Sequence, residues 1–372
     1  MTKSLDLVIG ASYGDEGKGI TVARLAEAHQ NFRTANVLTN GGPQRGHTVC
    51  MNGRTHVFRH FGSGTSFGAV TYFSGNFILN PIVFCEELSD LEKNFCSNVQ
   101  KPVRHPNCRW TTPFDMMYNQ MESKLNWKGT CGMGIWATIC RYNNTNPPTF
   151  DEFCNEFEQD EMFKFLESVK NYYETKLDIS RFPEYAVAWN SPYLIEHFIK
   201  DCLTMKRMTV CRPADLNLNN YEHLIFENGQ GLLLGDKGID DPEKTPSETG
   251  SEFVANLIDD LQDREINIHY VTRPYLTRHG SRTFKEEHVD GDMNFESESN
   301  GFNEWQKNFL YANLDLTDLK NNIEKDRRIL SSFPFISYNI DVTHSDEIDR
   351  EEEFRKVFGD RFNLKFFDKK EV

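Results

Sequence analysis

The chain opens on residues that could hold and activate a phosphate. Gly10-Ala-Ser-Tyr-Gly-Asp-Glu-Gly-Lys-Gly19 follows an apolar run at 5–9 and precedes residues 20–29, whose apolar positions recur at helical spacing. Strand, glycine-rich turn, lysine and helix form the layout in which backbone N–H groups and a helix N-terminus meet an anion. Gly14, Gly17 and Gly19 permit the tight turn, and Lys18 adds a cation. Setting Gly17-Lys18 on the Gly-Lys of an ordinary P-loop puts Ser12 at its first glycine and Gly19 where the Mg²⁺-binding hydroxyl belongs. The metal must then find another oxygen, and Asp15 lies inside the loop. A carboxylate within a phosphate cradle is costly unless it binds a cation or moves a proton. That separates this loop from a generic ATPase.

The elements that would position the loop are legible as runs. Strand-like segments at 35–39, 70–73, 209–211, 223–226, 266–271 and 333–340 alternate with helical stretches. The pattern predicts an α/β fold, P-loop-like, with a mostly parallel central sheet and helices on both faces. Residues 96–205 change character: they are rich in aromatics, Asn and Glu, with helical spacing over 153–173 and 192–203. They read as a helical insertion within a single domain spanning 1–372. Residues 346–372 predict a surface helix and then a short strand. The formal net charge of −15 argues against a nucleic-acid footprint, so a substrate phosphate must be met by a local basic site. No apolar run approaches a membrane span. Nine cysteines, odd in number and without a Cys-x-x-Cys, fit free thiols in a reducing cytoplasm. Cys96, His105 and Cys108 lack a zinc spacing and a fourth ligand, and read as packing or loop residues.

Three blocks in order carry a resemblance. The loop Gly14-Asp-Glu-Gly-Lys-Gly19 resembles that of adenylosuccinate synthetases. Asn40-Gly-Gly-Pro-Gln-Arg-Gly-His-Thr48 is similar to the family's Gly-Gly-x-Asn-Ala-Gly-His-Thr, and Phe226-Glu-Asn-Gly-Gln-Gly231 to its Glu-Gly-Ala-Gln-Gly. Thr272-Arg273 and Arg278-His279-Gly280 follow. The resemblance implies a two-step ligase: a GTP γ-phosphoryl group moves to the 6-oxygen of a purine monophosphate, and the aspartate amine displaces it. It implies Asp15 as general base and Mg²⁺ ligand, with the Gly46 carbonyl as a second ligand. His47 would donate to the phosphoryl group and the 6-oxygen. Gly14, Glu16, Gly17, Lys18 and Gly19 would hold the triphosphate. For the purine nucleotide it implies Gln44, Gln230, Thr130 and Cys131 (in Gly129-Thr-Cys-Gly-Met-Gly134), Thr245, and Arg141 reaching across a homodimer. For Cys131 and Thr245 an ordinary loop role, and for Arg141 an exposed surface arginine, are equally open readings.

The departures fall on two ligands. Glu304-Trp-Gln-Lys-Asn-Phe-Leu-Tyr-Ala-Asn-Leu-Asp315 corresponds to the family's arginine-rich aspartate segment, and Lys307 is its one cation. Two carboxylates are best held by guanidinium forks, so Arg273, Arg278 or Arg282 takes over or the amine differs; Arg278 is the choice here. Tyr338-Asn-Ile-Asp341 corresponds to the element that reads guanine, with Asp341 retained and Asn339 in place of Lys. GTP is expected as donor on Asp341, with ATP open. Two alternatives remain: the phage-type enzyme that uses dGMP, whose loop usually carries Ser where this chain has Asp15, and a catalytically weak nucleotide-binding regulator.

Overall fold

The computed structural model describes residues 3–96, 99–126, 130–212, 218–235, 247–257, 261, 263–279, 304–305, 309–333 and 335–368. Among the described residues nine strands build the central sheet: β1 (Lys3–Gly10), β2 (Thr34–Leu38), β3 (Val70–Phe73), β4 (Val103–Arg104), β5 (Val210–Cys211), β6 (His223–Gly231), β7 (Arg264–Thr272), β8 (Ile336–Thr343) and β9 (Asn363–Phe367). Their order is β9-β8-β7-β1-β6-β2-β3-β4-β5. Every pairing is parallel. Such a sheet must be covered on both sides, and the alternation along β1 shows how. Leu5, Leu7 and Ile9 pack with Leu316, Leu319, Phe354 and Phe358 from the helices Leu316–Arg327 and Glu351–Phe358. Val8 packs on the other face with Val22 and Ala26 of α1 (Lys18–Ala28).

The chain runs outward from β1 to β5, returns through β6 beside β1, and then builds β7 to β9 on the opposite side. The reversal puts a crevice at the carboxyl ends of β1 and β6, where open parallel sheets bind ligands. Between β4 and β5 lie the helices Pro113–Leu125, Ile135–Asn144, Phe150–Asn155, Gln159–Glu174, Pro183–Trp189 and Pro192–Met208. Trp110, Phe114, Phe153, Leu166, Trp189 and Phe198 form part of their common apolar core. The continuous helix expected over 153–173 is two, the first opened by Thr149, whose Oγ accepts from Glu152 N at 3.2 Å. β6 is longer than its apolar run because the buried Glu227 and Asn228 continue the strand. Among the described residues no helix is long and apolar enough to cross a membrane.

Candidate active site

The loop after β1 is closed on an anion of its own. Ser12 N and Gly14 N donate to Glu16 Oε1 at 3.0 and 2.7 Å. Lys18 Nζ donates to the Gly14 carbonyl at 2.6 Å and stands 3.6 Å from Glu16 Oε2. Burial pushes the Glu16 carboxyl up and the Lys18 ammonium down, each opposed by the other's charge. Both side chains are buried, so Glu16, expected to contact nucleotide, here organises the loop. Gly14 has φ 110°, and a side chain there would meet Gln230 Cα at 2.8 Å, which locks this loop to the Gln230 turn. Among the described residues the half-buried Asp15 carboxylate makes no hydrogen bond. Its backbone carbonyl accepts from Thr277 Oγ at 3.3 Å.

His47 begins the hairpin His47–Met51/Arg54–Phe58 and packs against the start of α1. A side chain at Gly19 would lie 2.9 Å from His47 Cβ, so glycine is what lets the two elements meet. Glu227, on the α1 face of β6, holds the ring through Nδ1. The same carboxylate accepts from Arg45 Nη2 at 2.8 Å, Ser63 Oγ at 2.7 Å and Ser63 N at 3.1 Å. Burial would raise the Glu227 carboxyl, but Arg45 and His47 outweigh it and hold it well below the usual range. Burial and the Arg45 charge lower His47 from 6.5 to about 4, so the ring is neutral near pH 7. A carboxylate can only accept, which places the proton on Nδ1 and the lone pair on Nε2. Glu227, Arg45 and Ser63 were not singled out from sequence. The one signal was an acidic residue at a strand end beside the Gly-Gln-Gly turn.

Around this centre the other expected residues fall into two groups. Gln230, the last residue but one of β6, bends the strand end into a turn with φ 64°. Asn40 ties that turn to the 247–248 segment, accepting from Gly229 N at 2.7 Å and donating to Ser247 Oγ at 2.8 Å and Glu248 O at 2.7 Å. Gln44 lies against Gly41 with its Oε1 buried and unpartnered. Gly46 is exposed beside it. Gly42 faces Ile135, the first residue after the Thr130–Gly134 turn, so the two polar loops adjoin. Thr130 Oγ donates to Asn119 Oδ1 at 2.9 Å and accepts from Gly132 N at 3.3 Å. Burial pushes the Cys131 thiol up to about 11, leaving it neutral. The Trp305 ring covers Gly132, and Phe309–Asn313 runs antiparallel to Tyr275–His279. Trp305 thus lies on the Thr130 turn and Phe309–Asn313 beside Arg278, whose guanidinium lies 4.9 Å from the Tyr13 ring centre. Arg278 stands on this two-stranded sheet, apart from the central one.

The second group lies elsewhere. Arg141 is 1% exposed; its Nε and Nη2 grip Asp115 at 2.8 and 2.9 Å, and Nη2 also reaches the Trp110 carbonyl at 3.0 Å. The expectation that Arg141 reaches a neighbouring subunit is corrected, because the buried Asp115 carboxylate requires it. Asp341 lies inside the sheet, with Oδ2 on His269 Nδ1 at 2.8 Å and Oδ1 unpartnered. Asn339, also buried, donates to the Ile268 carbonyl at 3.2 Å. Thr245 and Lys307 lie outside the described residues.

The donor set suits Mg²⁺. Among the described residues no three His, Cys, Asp or Glu side chains could cage an ion. Mg²⁺ prefers one or two carboxylates completed by water and substrate phosphate, and the unengaged Asp15 carboxylate with the exposed Gly46 backbone offers such oxygens.

A sequence profile of the Adenylosuccinate synthetase family matches residues 7–305. The adenylosuccinate synthetase of Mannheimia succiniciproducens is 27% identical over 297 residues, 78% of this chain and 66% of the relative. That of Lactobacillus acidophilus is 26% identical over 291 residues, 76% of this chain and 65% of the relative. The chain therefore spans about two thirds of the length of the curated relatives it matches. In three dimensions it is similar to a fully ligated adenylosuccinate synthetase from Plasmodium falciparum (TM-score 0.68, 16% identity, 93% of this chain and 78% of that one). It is also similar to the cyanophage S-2L succinoaminodeoxyadenylate synthetase bound to dGMP and dATP (TM-score 0.67, 12% identity, 99% and 93%). With the profile covering most of the sequence, the chain belongs to the adenylosuccinate synthetase family.

Proposed function

We propose that this chain is a C–N bond-forming purine nucleotide ligase. It would transfer the γ-phosphoryl group of GTP to the 6-oxygen of IMP or a related 6-oxopurine nucleotide, and L-aspartate would then displace the phosphate to give adenylosuccinate. The observation that carries this reading is the packing of His47, neutral and braced by Glu227 of β6, against Gly19 at the end of the phosphate-type loop that holds Asp15 and Lys18.

Asp15 is the base that takes the purine N1 proton, which makes the 6-oxygen nucleophilic. His47 offers Nε2 as an acceptor. An approaching phosphate anion raises the ring's proton affinity, Nε2 takes a proton from solvent, and the imidazolium then donates to the developing oxyanion. The α1 N-terminus and Lys18 receive the anionic donor. Bound at Asp15 and the Gly46 carbonyl, Mg²⁺ would neutralise phosphate charge. Gln44, Thr130 and Gln230 line the purine nucleotide side, and Arg278 is the cation for an aspartate carboxylate. The free Oδ1 of Asp341 is the acceptor for a donor base. A cytoplasmic homodimer belongs to the reading, without Arg141 as a shared residue.

A second reading takes dGMP as acceptor. It is favoured by one observation: the phage enzyme bound to dGMP and dATP matches almost the whole of both chains. Asp15 favours the first. Inorganic phosphate release separates them: the reading holds if release needs purine monophosphate, triphosphate and aspartate together. IMP against dGMP, and GTP against ATP, then assign the pair. No release with any combination would refute ligase activity.

A further inference from the structure

We propose that Arg45 is a positioning residue for His47: by gripping the Glu227 carboxylate it fixes the imidazole in a single tautomer, with the proton on Nδ1 and Nε2 unengaged. Three donors converge on Glu227 Oε1: Arg45 Nη2 at 2.8 Å, Ser63 Oγ at 2.7 Å and His47 Nδ1. The 3.0 Å between Arg45 Nη2 and His47 Nδ1 is the spacing of two donors sharing that oxygen. The turn in which Arg45 N donates to the Gly42 carbonyl at 3.3 Å sets the direction from which the guanidinium enters.

Arg45 is poorly explained as a core ion pair. Its side chain is 1% exposed, yet among the described residues Nε and Nη1 have no partner. Arg141, equally buried, spends Nε and Nη2 on a two-pronged grip of Asp115 and a carbonyl and leaves only Nη1 unpartnered among the described residues. Burying a guanidinium with most of its donors idle costs stability, which points to the single contact with Glu227 as its use. The position is this chain's own: the similar family segment carries Ala before Gly-His-Thr. Without the guanidinium only Ser63 holds Oε1 at the ring, and the imidazole is free to flip or exchange tautomer.

The test has two halves, and only the kinetic one rests on the proposed reaction. Long-range ¹H–¹⁵N correlation of the histidine-labelled free protein should show His47 with the proton on Nδ1 alone. A proton on Nε2 alone in the wild type overturns the proposal, whether or not any variant folds. Arg45→Met, which keeps the apolar stem, should give mixed tautomers; retention of the single Nδ1 tautomer overturns it. In turnover, Arg45→Met should lower kcat by about 10²-fold with the purine KM within about threefold. Added guanidinium ion should restore part of kcat where methylammonium does not. An unchanged kcat, or a rise in KM alone, assigns Arg45 another role and overturns the proposal.

Discussion

Replacing His269 should remove a pH-dependent share of the protein's stability. The ring lies between two carboxylates inside the sheet, with Nδ1 2.8 Å from Asp341 Oδ2 and Nε2 3.3 Å from Asp6 Oδ1. All three residues are at least 96% buried. Both ring nitrogens face acceptors, so both carry protons. Burial alone would lower His269, but Asp341 and then Asp6 outweigh it and raise it from 6.5 to about 9. A folded value above the unfolded one contributes stability that is fully present below pH 6.5 and is lost as pH rises through 9. The difference of roughly 2.5 units corresponds to about 3 kcal/mol. In His269→Gln two buried carboxylates lose their cation, at a cost of ~3–5 kcal/mol near pH 6. Urea unfolding of both proteins from pH 6 to 9.5 reads the gap directly. The gap should shrink by about 3 kcal/mol across that range. A gap that stays flat would mean that His269 is neutral in the fold, and the buried triad would have to be redrawn.

Asp15→Asn should abolish phosphate release while leaving nucleotide affinity within about tenfold, since size is kept and only the base and a metal ligand are lost; near-normal turnover would remove Asp15 from the mechanism. Arg278→Leu should raise the aspartate KM steeply, as expected for loss of a charge-assisted contact of about 2–5 kcal/mol, with purine affinity little changed; a wild-type aspartate KM would place the carboxylates elsewhere. Arg141→Met should cost ~3–5 kcal/mol in unfolding free energy because Asp115 is left buried without its cation. Mixing it with a separately inactivated Asp15→Asn protein should restore no activity beyond that of each alone, whereas regained activity would show that subunits do share a site.

Local chemistry made much of the architecture readable. Glycines at 14, 17 and 19 marked a turn, and Val70–Phe73 was apolar enough to stand out as a strand. β6 was read short because Glu227 and Asn228 look like the end of a strand until their partners, Ser63 and Thr39, are known. Those contacts join residues 164 and 189 positions apart, and no spacing rule reports them. Arg45 was not singled out for the same reason: its acceptor lies on a strand that the topology brings back beside β1. Arg141 differs in the opposite way: the resemblance implied reach, but Nε and Nη2 are taken by Asp115 on the helix Pro113–Leu125, a carboxylate that Tyr173 on the helix Gln159–Glu174 also contacts.

The central claim is that Asp15 and His47 activate a purine 6-oxygen for displacement by an amine, and transfer of an oxygen-18 label tests it most directly. With purine monophosphate labelled by ¹⁸O at the 6-position, purine triphosphate, Mg²⁺ and aspartate, the label should appear in inorganic phosphate, one atom per turnover, because the phosphoryl group leaves with the oxygen it was given. Phosphate released without the label would show simple triphosphate hydrolysis by water and would contradict the account.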